Sequence, residues 1–110
     1  MNELIFIPTA PGPPVDVTAY NTSSTSIRVT WKEIPPENEN GVILGYHIFY
    51  KALPNENERK ITVNDNTTLS ANISGLEEYV EYNISVAAFI SGEIGRRSDP
   101  VLVFTAEDGK

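Results

Sequence analysis

The chain has 110 residues and a formal charge of −7 at neutral pH, which gives one domain around one core and works against phosphate backbones, heparin-like chains and anionic lipid surfaces. It contains no cysteine, so disulfides, thiolate metal sites and cysteine nucleophiles are excluded. Its eight Pro and seven Gly are spread along the chain, which predicts many short elements instead of a few long ones.

Taken in order, residues 1–9 read as a linker or an added start, because the apolar stretch from Leu4 to Ile7 is too brief for a signal peptide. No apolar run approaches the roughly 20 residues that a membrane-crossing helix needs. Pro11 to Pro14 open the domain, since proline cannot donate to a sheet ladder. From there apolar and polar residues alternate, the period of half-buried strands. Val15, Val17 and Ala19 are the inward residues of a first strand, and Ile27, Val29 and Trp31 of a second. Pro35, Pro36 and Asn40-Gly41 fill a long connection to a third, marked by Tyr46, Ile48 and Tyr50. Pro54 to Glu58 separate it from a fourth with Ile61 and Val63; Leu69, Ala71 and Ile73 define a fifth. Tyr82, Ile84, Val86 and Ala88 define the sixth, and Val101 and Val103 the seventh, after a connection from Ser91 to Pro100 that carries two Gly. Strand signals at about 8–12-residue spacing predict an all-β sandwich or barrel. The folded unit is placed at residues 10–106, with 107–110 as a trailing linker.

The run from Ser26 to Trp31, followed by Pro35-Pro36, Asn40-Gly41-Val42-Ile43, Gly45-Tyr46 and Tyr50, resembles the fibronectin type III family. Leu76, Tyr82, Val86, Ala88, Gly95, Ser98 and Thr105 continue the resemblance over nearly the whole chain. It implies a seven-stranded immunoglobulin-like sandwich without a disulfide, with Trp31, Tyr46, Leu76 and Tyr82 in the structural core. Leu76 lies six residues before Tyr82, the spacing that family members use for a tyrosine corner, in which the phenol bonds backbone near the turn before its strand.

No nucleophile with a base, no paired carboxylates in a cleft and no metal-ligand spacing stands out, so no enzyme activity, cofactor or metal is expected. His47 is the sole histidine, and its parity opposite to Tyr46 and Ile48 puts it on the outer face. Glu33, Glu37 and Glu39, and Glu56 and Glu58, read as solvated loops. The segment Gly92 to Ser98 lacks the Arg-Gly-Asp triplet that some fibronectin modules carry there, and with Trp31 alone there is no Trp-Ser repeat of the cytokine-receptor kind.

Asn21, Asn66, Asn72 and Asn83 are candidate glycosylation acceptors of the Asn-x-Ser/Thr type. With ten Asn, and Ser or Thr at 17 of 110 positions, chance gives about one or two such sequons. By parity Asn72 and Asn83 face solvent. The segments from Pro8 to Pro14 and from Thr105 to Asp108 look like the linkers between tandem fibronectin type III repeats of neural adhesion molecules and receptor tyrosine phosphatases. The resemblance therefore implies a non-catalytic interaction and spacer module, extracellular, in a parent that is membrane-anchored while this domain makes no membrane contact. Its partners are protein: neighbouring repeats and an extracellular ligand, with no nucleic acid, and the isolated domain is expected to be monomeric. The alternatives are a mechanical spacer of a giant intracellular muscle protein and an accessory domain of a secreted enzyme. Phe49, Phe89, Leu102 and Phe104 are expected to point outward from one sheet and to form a single apolar interaction patch.

Overall fold

The inward residues of the alternating runs meet between two antiparallel sheets in the computed structural model, which describes residues 10–54 and 56–107. The expected leading linker 1–9 and residues 108–110 of the trailing one lie outside the described residues. Strands β1 (Val15–Ser23), β2 (Ser26–Lys32) and β5 (Ser70–Ile73) form a three-stranded sheet in the order β1-β2-β5. The second sheet comprises β3 (Gly45–Ala52), β4 (Arg59–Val63), β6 (Glu81–Ile90), β7 (Glu93–Ile94) and β8 (Val101–Phe104). In it β3 pairs with β4 and β6, and the far side of β6 takes β8 along one half and β7 at its end.

Ile27, Val29, Ile48, Ile84 and Val86 are fully shielded from water, and Trp31, Tyr46, Leu76 and Tyr82 are buried around them. With no disulfide between the sheets, this burial is the main term that holds them together. Val17, Ala19, Ile61, Val63, Leu69, Ala71, Val101 and Val103 pack against this core half-buried. Val15, expected inward, is instead 36% exposed. The β1–β2 ladder slips between Val15 and Thr18, where Asp16 takes a positive φ of 53°, and that bulge turns the start of β1 outward.

β7 is an eighth strand beyond the seven expected. Ser91-Gly92 makes a two-residue turn after β6, Gly92 supplying φ 77°, and the chain folds back for two residues before leaving the ladder. From Gly95 to Pro100 the chain runs irregularly along β6, held by Gly95 N–H to Ala88 O at 2.7 Å and Ser98 N–H to Val86 O at 2.8 Å. The connection before β3 is also more ordered than its prolines suggest, since Ile34 and Ile43 at its two ends are buried in the core.

The tyrosine corner implied by the resemblance is formed: the Tyr82 hydroxyl accepts the Glu77 N–H at 3.0 Å. Thr105 closes the same region, its Oγ1 accepting the Val80 N–H at 2.9 Å and donating to Glu77 O at 2.7 Å. The two ends of the described chain lie at opposite poles. At the N-terminal pole Gly12 N–H donates to Asn38 O (2.8 Å), Arg96 N–H to Pro11 O (2.9 Å) and Asn40 Nδ2 to Ala10 O (3.1 Å). At the C-terminal pole Ala106 N–H donates to Ser23 O and Tyr79 N–H to Ala106 O, both at 3.2 Å. β1 runs from one pole to the other, and nine residues at about 3.3 Å each span ~30 Å.

Candidate interaction surface

On the outer face of the second sheet β3 presents His47 and Phe49, and β6 presents Asn83, Ser85, Ala87 and Phe89, by the pairing of Phe49 with Ser85 and His47 with Ala87. Phe49 points outward as expected, yet it is only 8% exposed. The Arg97 guanidinium lies over its ring, 3.6 Å from the centroid, and is held there by two bonds to Glu58 at 2.7 and 2.9 Å. Those hydrogen bonds keep the Glu58 carboxyl below its ordinary range and raise Arg97. Phe89 is half-buried, and His47 stacks on it at 4.6 Å while its Nδ1 bonds Thr62 Oγ1 at 2.8 Å.

The expected single patch of Phe49, Phe89, Leu102 and Phe104 is therefore not formed. Phe49 is covered, and the polar Asn83 and Ser85 of β6 lie between it and β8. Leu102 and Phe104 are 57% and 47% exposed and belong to a different neighbourhood, where the Phe104 ring meets Tyr79 at 5.6 Å. Tyr79 is itself exposed, and its N–H bonds Ala106 O at the C-terminal pole.

A second exposed apolar set sits at the N-terminal pole: Val42, Leu44 and Ile94, of which Val42 is 74% exposed. Leu44 N–H bonds Phe89 O, and Ile94 pairs with Phe89 across the β6–β7 turn, so both flank the same residue beside the incoming chain. Sequence reasoning passed over these three because they lie in turn-rich connections. The available signal was the apolar run Val42-Ile43-Leu44, which follows directly on a stretch of Pro, Glu, Asn and Gly from Pro35 to Gly41. The same pole carries Glu33 and Glu39, whose carboxylates add to burial in raising the Tyr46 phenol.

Of the sequon residues, Asn21, Asn66 and Asn72 are exposed, while Asn83 is half-buried. Asn21 Nδ2 donates to Phe104 O and Asn66 Nδ2 to Ile43 O, each at 2.9 Å. Asn72 Oδ1 accepts from Arg28 Nη1 at 3.1 Å.

Two facing antiparallel sheets, a buried tryptophan without a disulfide and a tyrosine corner define a domain of the immunoglobulin-like β-sandwich class. The family model described as "Fibronectin type III domain" matches residues 12–104, and the chain belongs to that family. Protein sidekick-1 of Gallus gallus is 45% identical over 103 residues, 93% of this chain and 5% of the relative. Receptor-type tyrosine-protein phosphatase F of Mus musculus is 36% identical over 102 residues, 91% of this chain and 5% of the phosphatase. The chain thus spans about one twentieth of the length of these curated relatives. Among solved structures, the FN5 domain of Drosophila Lar matches with TM-score 0.73 and 39% identity, covering 88% of this chain and 98% of that domain. The chicken CNTN1 FN1-FN3 structure matches with TM-score 0.80 and 27% identity, over 90% of this chain and 33% of that one.

Proposed function

We propose that this chain is one link of a tandem ectodomain in an adhesion or receptor protein, and that it works by protein contact without chemistry of its own. The observation that carries this reading is the placement of exposed apolar side chains at the poles. Val42, Leu44 and Ile94 gather where the chain comes in, and Tyr79 and Phe104 gather where it leaves. A module that passes its chain from pole to pole meets its neighbours at those two ends, and apolar surface left uncovered there on an acidic domain has a use when a neighbour covers it. The similarity to a receptor-type phosphatase supports a cell-surface parent, and the tandem FN1-FN3 arrangement of the CNTN1 structure supports a string of such modules. Main-chain bonds at both poles fix the directions of the incoming and outgoing segments, so the module also sets the reach of the string.

The test is a fragment of the full-length protein holding this module and the one before it. Replacing Val42, Leu44 and Ile94 together with Ser leaves the isolated module within about 1 kcal/mol of wild type, since the three are exposed. In the pair it loosens the junction, read as a broader distance distribution between labels on the two modules. An unchanged distribution contradicts an apolar contact between the modules at this pole.

A further inference from the structure

We propose that Asn72 is an N-glycan acceptor, placed so that a sugar leaves the outer face of the three-stranded sheet without disturbing any native bond. The proposal rests on the cell-surface reading above, because the modification requires passage through the secretory pathway. In the attachment an Nδ2–C1 bond forms to the sugar as the C1–O bond to a lipid-linked diphosphate donor breaks. The lipid diphosphate leaves with the electron pair, and one amide proton is lost to a base of the host transferase. The amide nitrogen must therefore face solvent, and the four sequons differ in which amide atom their surroundings claim.

At Asn72 the claimed atom is the oxygen. Arg28, directly opposite on β2, donates from Nη1 to Asn72 Oδ1 at 3.1 Å and from Nη2 to Ser70 Oγ at 3.0 Å. A guanidinium has only donors, so it fixes the amide with its oxygen inward and its nitrogen turned away. Asn72 is exposed, β5 is the edge of its sheet, and the sequon's Ser74 is exposed as well. The buried Ile73 between them pins the strand. At Asn21 and Asn66 the polarity is reversed: Nδ2 is the donor to a main-chain carbonyl, so a sugar on that nitrogen competes with a native bond. Asn83 is half-buried in the middle of the other sheet, between Lys51 and Leu102. A glycan on Asn72 keeps the Arg28 bond and projects from the face opposite His47 and Phe49, which keeps bulk away from that sheet.

The test uses this chain secreted from mammalian cells behind a cleavable leader, which supplies the transferase wherever the native protein resides. Peptide mass spectrometry is expected to find Asn72 glycosylated, and converted to Asp when peptide N-glycosidase removes the sugar. Asn72→Gln and Ser74→Ala each abolish that signal; Ser74→Ala keeps the Asn72–Arg28 contact and so covers the case in which the Gln variant misfolds. Wild type glycosylated at Asn72 and unglycosylated Ser74→Ala, matched at the other sequons, are expected to melt at the same temperature, since both keep the Asn72–Arg28 bond. An unmodified Asn72 in folded, secreted wild type overturns the acceptor and leaves the cell-surface reading standing. A melting temperature that is higher in Ser74→Ala than in wild type glycosylated at Asn72 overturns the claim that the fold accommodates the sugar.

Discussion

Trp31 and Tyr46 meet at the centre of the core with ring centroids 5.2 Å apart and planes tilted by 57°, an arrangement that adds to the area they bury. Trp31→Ala is expected to cost about 3–5 kcal/mol in chemical denaturation, which leaves a domain of ordinary stability largely unfolded. Tyr82→Phe keeps the ring and removes the acceptor of the Glu77 N–H, so a loss of about 1 kcal/mol with the fold intact is expected. Both residues were legible in the sequence, one as a lone tryptophan on an alternating strand and the other by its spacing from Leu76. Phe49 was legible only in direction. Parity gave the face, but the cover comes from Arg97 and Glu58, which are 39 residues apart in the chain, a distance no local pattern spans. Phe49→Ser is accordingly expected to cost about 2–3 kcal/mol, as for a buried aromatic, where an exposed one would cost under about 0.5 kcal/mol. His47 gives a pH signature. Burial, with Lys60 second, holds its imidazole below the ordinary value of 6.5, so the folded state binds fewer protons than the unfolded chain in mild acid. Its stabilising contribution is complete above that value and is lost as pH falls through the folded one. Melting temperatures taken downward from about pH 7.5 should fall below about pH 6.5, with a shallower slope in His47→Gln. The carboxylates of Glu58 and Asp65, held low by hydrogen bonds, act in a separate and more acidic window.

At the level of elements, seven strands and their faces follow from alternation, and the departures have local causes that alternation does not encode. The bulge at Asp16 turns Val15 outward, and the Ser91-Gly92 turn adds β7 where a long loop was expected. Two glycines mark where elements come too close for a side chain. A Cβ on Gly45 would collide with Val63 O across the β3–β4 ladder, and one on Gly95 would meet Pro11 O at 2.7 Å. Gly45→Ala is therefore expected to cost at least about 1–3 kcal/mol, because backbone must move to admit the methyl group. Gly95→Ala should in addition free the incoming segment, read as faster amide exchange at Gly12 and Arg96, whose N–H groups tie it down. Unchanged exchange at those two amides would separate Gly95 from the anchoring of the N-terminal pole.

For the whole molecule, the family was readable from motifs such as Ser26 to Trp31 and Leu76 with Tyr82, and the sandwich from the rhythm of the strands, whereas the passage of the chain from pole to pole comes from the fold. The surface was not, because exposure at a pole depends on which loops meet there. Val42 and Ile94 are more than 50 residues apart in the sequence and share a pole only after β3 and β6 pair. A net charge of −7 opposes self-association, and sedimentation of the chain alone is expected to give a monomer of 12.1 kDa. The role proposed for this module is contact with other proteins as one link of a string. The most direct measurement is adhesion or ligand binding by intact cells displaying the full-length protein, in two altered forms. In one the module is deleted; in the other it is replaced by a fibronectin type III module of equal length with Ser or Lys at the positions of Val42, Leu44, Ile94, Tyr79 and Phe104. Deletion is expected to weaken binding, and the replacement is expected not to restore it in full. Full recovery by the replacement contradicts the claim and leaves the module as length alone.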